Sequence, residues 1–471
     1  MDKKERHLLN VFVPTGANYL RLVNITFDEK IIEMTPLLRG KVAWEEISDE
    51  KKLSAFIMNN MQGIKRAKGD DIDGNFAFAM PGGVDPTVYF SLAGADRFAD
   101  LTIEAAAGGT TAIVDMPYWN GQRITNDELL TQKREFLLKN SFVDFGLWRG
   151  LELEDLSKGM ELLDEIEASV NLGAAGVYLY LTEDDSKINE FSRDDYHKLA
   201  KFLKGINYPI AMVPEDLEIT KFRAFRAHRL KYLEKKDFMY THDQHSESEA
   251  VWNMADVSSR TAVKFFITSI TTELGVNALK SMRRNKRIRL FSCTTNTHLM
   301  YTQEELPPED KRHFKCIPPL RHNEDREALW KGLSRGLIDV VGSDHKEYLD
   351  IVTPEKAENY WLVTENVQSA SKRLPVLLNE GLVKDRLTLE NIVDVFSKNA
   401  ADYFNMNKGD LRTGKDADIV LVGANPDITK PLSDSFRFDV LKTLVRGSVV
   451  YDCDRNGEVP KGHGQYAFKN R

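Results

Sequence analysis

The chain has 471 residues, 42% of them hydrophobic and 29% charged, with 24 Phe, 15 Tyr and 6 Trp. That much apolar side chain can bury a large core, which excludes a disordered chain and a peptide-sized scaffold held by covalent staples. Its 64 Lys and Arg against 72 Asp and Glu give a net charge of -8, so it has no general attraction to nucleic acid or to an anionic membrane.

Cys293, Cys316 and Cys453 are too widely spaced for a disulfide framework or a thiolate zinc site, which fits a reducing compartment. The opening residues lack a signal-peptide pattern, and no apolar run is long enough to cross a bilayer. The expected location is cytoplasmic, with neither membrane nor nucleic acid as a partner. The basic cluster Arg283, Arg284, Lys286 and Arg287 reads as the solvated end of a helix.

In chain order, residues 19–26 and 30–34 are short strand-forming runs, and residues 44–60 carry apolar side chains at helical spacing. A turn at Asp73-Gly74 leads into an apolar strand at 76–80. Strands are then predicted at 112–116, 141–148, 176–181, 210–213, 262–267, 288–293 and 337–342. Amphipathic helices separate them, at 129–139, 160–172, 274–283 and 325–335 among others. This alternation predicts βα units around a parallel sheet, and about eight of them over one long stretch favour a closed barrel over an open doubly wound sheet. Residues 389–399 read as a late helix, after which 417–422 and 440–452 return to strands. The fold class is therefore α/β: a TIM (β/α)8 barrel at 81–400, with a small β-sandwich domain formed from both termini. Residues 1–80, with a helical insertion, and 401–471, ending in a polar tail, supply that domain. The tail from 454 onward either covers a neighbouring element or stays mobile.

Several ordered blocks resemble the dihydropyrimidinase/hydantoinase and dihydroorotase branch of the amidohydrolase superfamily. They are Pro81-Gly82-Gly83-Val84-Asp85-Pro86-Thr87-Val88-Tyr89-Phe90, Ala107 to Thr111 with Asp115-Met116-Pro117, Pro318-Pro319-Leu320-Arg321, Gly342-Ser343-Asp344-His345, and Gly409 through Ile419. The resemblance implies a metal-dependent-hydrolase-like barrel. It also implies hydrolysis of a cyclic amide by two divalent metals, commonly zinc, bridged by a carbamylated lysine. Position by position, this chain departs from that pattern. Thr87-Val88-Tyr89 stands where the family has His-x-His, Gly176 falls at the lysine position, and Val213 and Thr268 stand near the two later histidines. Asp344 alone matches a family ligand. No resident metal or other cofactor is therefore expected, a divalent metal such as zinc being the alternative.

Asp344 and His345 are the candidate catalytic residues, and Asp85, Thr87, Tyr89, Tyr178 and Arg321 the candidate ligand-binding residues. Tyr89, Tyr118, Trp119, Tyr178 and Tyr180 could fill the space of a metal centre or bind a heterocycle. Arg321 suits an anionic group or a structural carboxylate. His242 and His245 could share a metal if they lie on one helix face, though a polar loop or cap explains them equally well. Cys293 and His298 raise a thiol–imidazole pair, with a pocket wall as the plainer reading, and Cys316 and Cys453 read as ordinary buried or partly buried thiols.

The leading expectation is a dihydropyrimidinase-like protein that has lost binuclear hydrolysis and acts as a ligand-binding, regulatory or structural subunit. Its expected partners are further copies in a homodimer or homotetramer, an active homologue or another protein, and a small cyclic amide. The alternative is a cyclic-amide hydrolase, acting on a dihydropyrimidine or hydantoin, with a rearranged mononuclear or metal-free site using Asp344.

Overall fold

The computed structural model describes residues 5–48, 50–60, 66–180, 193–204, 208–306, 314–347, 358–424, 438–455 and 457–468. Strands Gly83–Val88, Thr110–Asp115 and Asp144–Leu147 pair in parallel; the third resumes after Trp148 as Arg149–Leu151. Val177–Leu179, Pro209–Met212, Lys264–Ile267, Arg289–Thr295 and Val340–Gly342 follow in unbroken parallel order. Two hydrogen bonds close the circle between the eighth strand and the first: Asp344 N donates to Thr87 O at 3.0 Å and Tyr89 N to His345 O at 2.9 Å. The result is a TIM barrel, as the alternation of apolar runs and amphipathic helices predicts.

The barrel interior is a packed core. Val84, Ala112, Val114, Trp148, Tyr178, Ala211, Phe266, Cys293 and Val340 belong to one buried cluster, as expected where side chains from all strands converge on an axis. Several surrounding helices start at side-chain caps just beyond a strand. Asp216 caps Leu217–Leu230, and Thr272 caps Glu273–Met282, each accepting a first-turn backbone N–H.

A second sheet takes strands from both ends of the chain, in the order Ser448–Asp452, Phe438–Val445, Ile419–Ala424, Phe78–Pro81, Arg6–Pro14, Tyr19–Phe27 and Ile31–Pro36. Its two faces follow the period of two. Leu8, Val11, Val23, Ile25, Ile419 and Leu421 build a core within the small domain, whereas Phe12, Leu22, Phe78, Met80 and Val420 join the large cluster shared with the barrel helices. A bulge between Leu8 and Val11, with Asn10 at φ 58, inserts the extra residues that let both apolar side chains face the same core. The insertion predicted near residues 44–60 is a short turn at Trp44–Glu46 followed by the helix Glu50–Asn59.

Candidate active site

The C-terminal ends of the strands bring most of the expected residues together. Asp344 follows the eighth strand in a left-handed conformation, φ 50, and is 5% exposed. Burial pushes its carboxyl up to about 7, helped by Glu365 and Asp85 and opposed by Lys346. The Lys346 ammonium stands 3.7 Å from Asp344, 2.7 Å from Glu365, and 4.3 Å above the centre of the Tyr89 ring. Burial pulls this amine down, but the two carboxylates outweigh it and keep it protonated, well above the ordinary lysine range. Tyr178 is buried and hydrogen-bonded to Tyr89; desolvation raises its phenol, and Lys346 and Asp344 are among its electrostatic neighbours. The site is therefore a cation held between two acids and roofed by tyrosines.

Asp85 braces the barrel from below. It accepts the backbone N–H of Ser343 at 3.1 Å and that of Thr87 at 3.3 Å, so its charge stitches the first strand to the eighth. Gly342 has no room for a side chain there, because a Cβ would meet Thr87 Oγ1 at 2.4 Å and Cys293 Sγ at 3.0 Å. Thr87 Oγ1 is buried without a hydrogen-bond partner among the described residues. Trp148, fully buried, crosses the interior and donates Nε1–H to Pro86 O at 3.2 Å.

Four of the five predicted aromatic residues form a continuous set: ring centres are 5.9 Å apart for Tyr89–Tyr118, 5.4 Å for Tyr118–Tyr180 and 5.4 Å for Tyr178–Tyr180. Trp119 does not join them. It packs 4.7 Å from Phe136 in a separate cluster under the helix Asp127–Asn140. Gly176, expected at the lysine position, does not itself reach the site. Gly176 precedes the fourth strand, and Tyr178, one dipeptide further along, is the residue that reaches the Asp344 cluster. Thr268 donates its hydroxyl to Met212 O at 3.2 Å on the neighbouring strand, and Val213 is buried just beyond it.

The other candidates are occupied elsewhere. His345 accepts the backbone N–H groups of Ser369 and Ala370 at Nδ1, both at 3.2 Å, and meets Phe90 edge-on at 5.3 Å. Arg321 donates Nε–H to Thr271 at 3.0 Å and an Nη–H to His242 O, and lies 3.8 Å from Glu247, which is the structural-carboxylate alternative. His242 is buried against Glu215 at 2.7 Å, whereas His245 is exposed in the first turn of the next helix, so the two do not share an ion. Cys293 sits in the barrel core with its thiol raised by burial. His298, lowered to about 4 by burial and Arg321, is fixed by Thr295 and the carbonyls of Pro318 and Pro319, so no thiol–imidazole pair forms. Cys316 is buried and Cys453 is exposed.

Sequence reasoning missed Lys346, Glu365 and Trp148. It also missed the fully buried pair of Asp115 with Lys133, 2.8 Å apart, behind the second strand. The positions implied for metal ligands thus hold two alcohols (Thr87 and Thr268), the phenol of Tyr89, a glycine (Gly176) and a valine (Val213) that offer no side-chain ligand, and one carboxylate (Asp344) beside an ammonium. They do not fit a carbamate-bridged pair of metals, which needs imidazoles and a lysine carbamate. Among the described residues, the group whose ligand atoms all lie within 4.8 Å is Asp452, Cys453 and Asp454, at the end of the small sheet. Two of its members are exposed, and Asp452 already pairs with Lys442 and Arg455. No helix among the described residues is long and apolar enough to cross a membrane.

Residues 260–450 match the family description "Amidohydrolase family". Allantoinase from Rubrobacter xylanophilus is 27% identical over 413 residues, 83% of this chain and 88% of that protein. D-phenylhydantoinase from Escherichia coli O1:K1 / APEC is 25% identical over 84% of this chain and 89% of its own length. The structure of L-hydantoinase (dihydropyrimidinase) from Arthrobacter aurescens superimposes with a TM-score of 0.82 at 20% identity, covering 98% of this chain and 99% of that one. That of dihydropyrimidinase from Brevibacillus agri NCHU1002 gives 0.80 at 20% identity, covering 99% of each. Both are likenesses of fold; in sequence, the chain is similar over most of its length to proteins of the allantoinase and hydantoinase branch of the amidohydrolase superfamily, and it shares the fold of the dihydropyrimidinases and hydantoinases.

Proposed function

We propose that this protein has lost binuclear metal-dependent hydrolysis and serves as a regulatory or structural subunit that retains the barrel of its hydrolytic relatives. The observation that carries the reading is the Lys346 ammonium, seated between Asp344 and Glu365 over the Tyr89 ring. An ammonium cannot ligate a metal, and 3.7 Å from the surviving carboxylate its charge opposes a cation there. Lys346 thus supplies as a fixed side chain the positive charge that metals supply in a hydrolytic centre, while Trp148, Tyr89 and Tyr178 fill space beside it.

The test is metal analysis of the purified protein, followed by ring-opening assays on dihydrouracil, hydantoin and allantoin with zinc, manganese or cobalt added. Substoichiometric metal and no ring opening above the buffer rate are expected. Stoichiometric tightly bound metal together with turnover overturns the reading.

One observation favours a second reading, hydrolysis of a cyclic amide without the two metals. An Asp344 carboxyl near 7 is matched to proton transfer at neutral pH. Metal-independent turnover that disappears in Asp344→Asn supports this alternative.

A further inference from the structure

A cavity of about 440 Å³ lies beyond the seventh strand, lined by the turn that begins at Asn296 and by the segment 366–372. Its volume is within the roughly 300–1,000 Å³ of small-molecule sites, and it is separate from the Asp344 cluster. The segment 366–372 stands between the two. Val367 exchanges backbone hydrogen bonds with Lys346, at 2.8 and 3.1 Å, and Ser369 Oγ donates to Ser343 O at 2.7 Å.

Two amide oxygens leave this cavity chemically incomplete. Asn296 is 2% exposed, and its Nδ2 donates to Ser369 O at 3.0 Å, which fixes the acceptor end of the amide. Its Oδ1 is buried with no hydrogen-bond partner among the described residues, and Asn366 Oδ1 is in the same state. Buried acceptors in folded proteins are satisfied, so two orphans on one cavity require a ligand that brings N–H donors. Glu104 adds a carboxylate to the lining. It pairs with Arg97, but that single guanidinium also serves Asp100 at 3.5 Å and Glu347 at 3.2 Å, so negative charge is left over. Lys372 adds an ammonium, 3.5 Å from the Tyr301 hydroxyl. Tyr301 and Phe314 supply apolar wall.

We propose that this cavity binds a free α-amino acid with an apolar or aromatic side chain. The ligand's ammonium has three donors for the two amide oxygens and Glu104, its carboxylate pairs with Lys372, and its side chain packs against Tyr301 and Phe314. One acid and one base in the lining match a zwitterion and disfavour a ligand of net charge. The site does not depend on whether the barrel turns over a substrate.

Isothermal titration of the full chain with L-leucine, L-methionine, L-phenylalanine and L-tyrosine tests it. Saturable binding of at least one of them is expected, and saturable binding of none overturns the proposal. For the amino acid that binds, the N-acetyl derivative lacks the ammonium and the carboxamide lacks the carboxylate. Each should bind the wild type about tenfold or more weakly, and a derivative that binds as tightly as its parent overturns the assignment. Lys372→Met and Asn366→Leu, with unchanged circular dichroism spectra, should each weaken binding by a similar factor. Binding that both substitutions leave intact, or that Lys346→Met abolishes in their place, puts the amino acid elsewhere and overturns the proposal.

Discussion

Asp344 combines a left-handed backbone, burial and an ammonium neighbour, and its titration can be read in the stability of the whole chain. Its carboxyl lies near 7 when folded, against an ordinary value of 3.8. Between those two pH values the folded state binds the extra proton, so this residue's contribution to stability falls as pH rises through the window and levels off above it. Asn, which resembles the protonated acid, escapes that loss. Urea melts from acid to mildly alkaline pH should show Asp344→Asn gaining on the wild type up to about 7 and running parallel beyond; a constant difference contradicts the assignment. Lys346→Met should move the titration still higher, because Glu365 and Asp85 then act on Asp344 without the ammonium. The loss of the His-x-His motif is legible in Thr87 and Tyr89 because that motif follows directly on an unmistakable strand entry. Lys346 is not, since its direction depends on the left-handed turn at Asp344 that aims it inward rather than at solvent. Gly176 and Tyr178 differ by one full strand period, so both satisfy the same alternation, and a pattern with period two cannot say which layer of the barrel each occupies.

At the level of elements, the barrel strands are legible because each is a short apolar run fenced by turns and amphipathic helices. The predicted helix at 389–399 is instead Leu389–Val393, a π-helical turn at Asp394–Lys398 and a last helical segment, Asn399–Tyr403. The wide turn is a tertiary adjustment. It brings Ser397 Oγ to donate to Gly82 O and the Phe396 carbonyl to accept from Arg373. Arg373, fully buried, uses the planar fork of its guanidinium to bind Val341 O at 2.7 Å, Val84 O at 2.6 Å, Phe396 O at 2.9 Å and Thr110 Oγ1 at 3.1 Å. One side chain thus ties the first, second and eighth strands to the late helix. Lysine keeps the charge but cannot span those acceptors. Each buried carbonyl left unpaired costs about 1–3 kcal/mol, so Arg373→Lys should destabilise the protein by several kcal/mol in urea titrations. Retention of wild-type stability would mean that the fork is not what joins these elements.

For the molecule as a whole, composition left open whether the polar tail covers a neighbour or stays mobile, and its stretch 464–468 lies against the third strand of the barrel. Gly464 N donates to Ser141 O at 2.9 Å, Phe145 N to Gln465 O at 3.0 Å and Ala467 N to Phe145 O at 2.8 Å, so the tail runs beside the third strand. Phe468 fills the space over Gly146, where a Cβ would come within 2.9 Å of three ring atoms, and packs 5.8 Å from Phe404. Arg446 of the small sheet pairs with Asp144 of the third strand and also donates to His463 O at 2.6 Å. Lys408 bridges the same Asp144, at 2.7 Å, to Asp418, at 2.6 Å. Small sheet, barrel and tail therefore meet at Asp144, and the tail acts as a clamp rather than an appendage. Removing residues 463–471 should uncover the aromatic rings and leave Arg446 without its His463 acceptor. Phe468→Ala alone removes a buried ring whose loss costs about 3–5 kcal/mol in a core that cannot collapse around it. Thermal melts should therefore place the truncated chain below Phe468→Ala and Phe468→Ala below the wild type. If the truncated chain instead melts with the wild type, the third strand is held without the tail, by Lys408, Arg446 and the core shared with the small sheet.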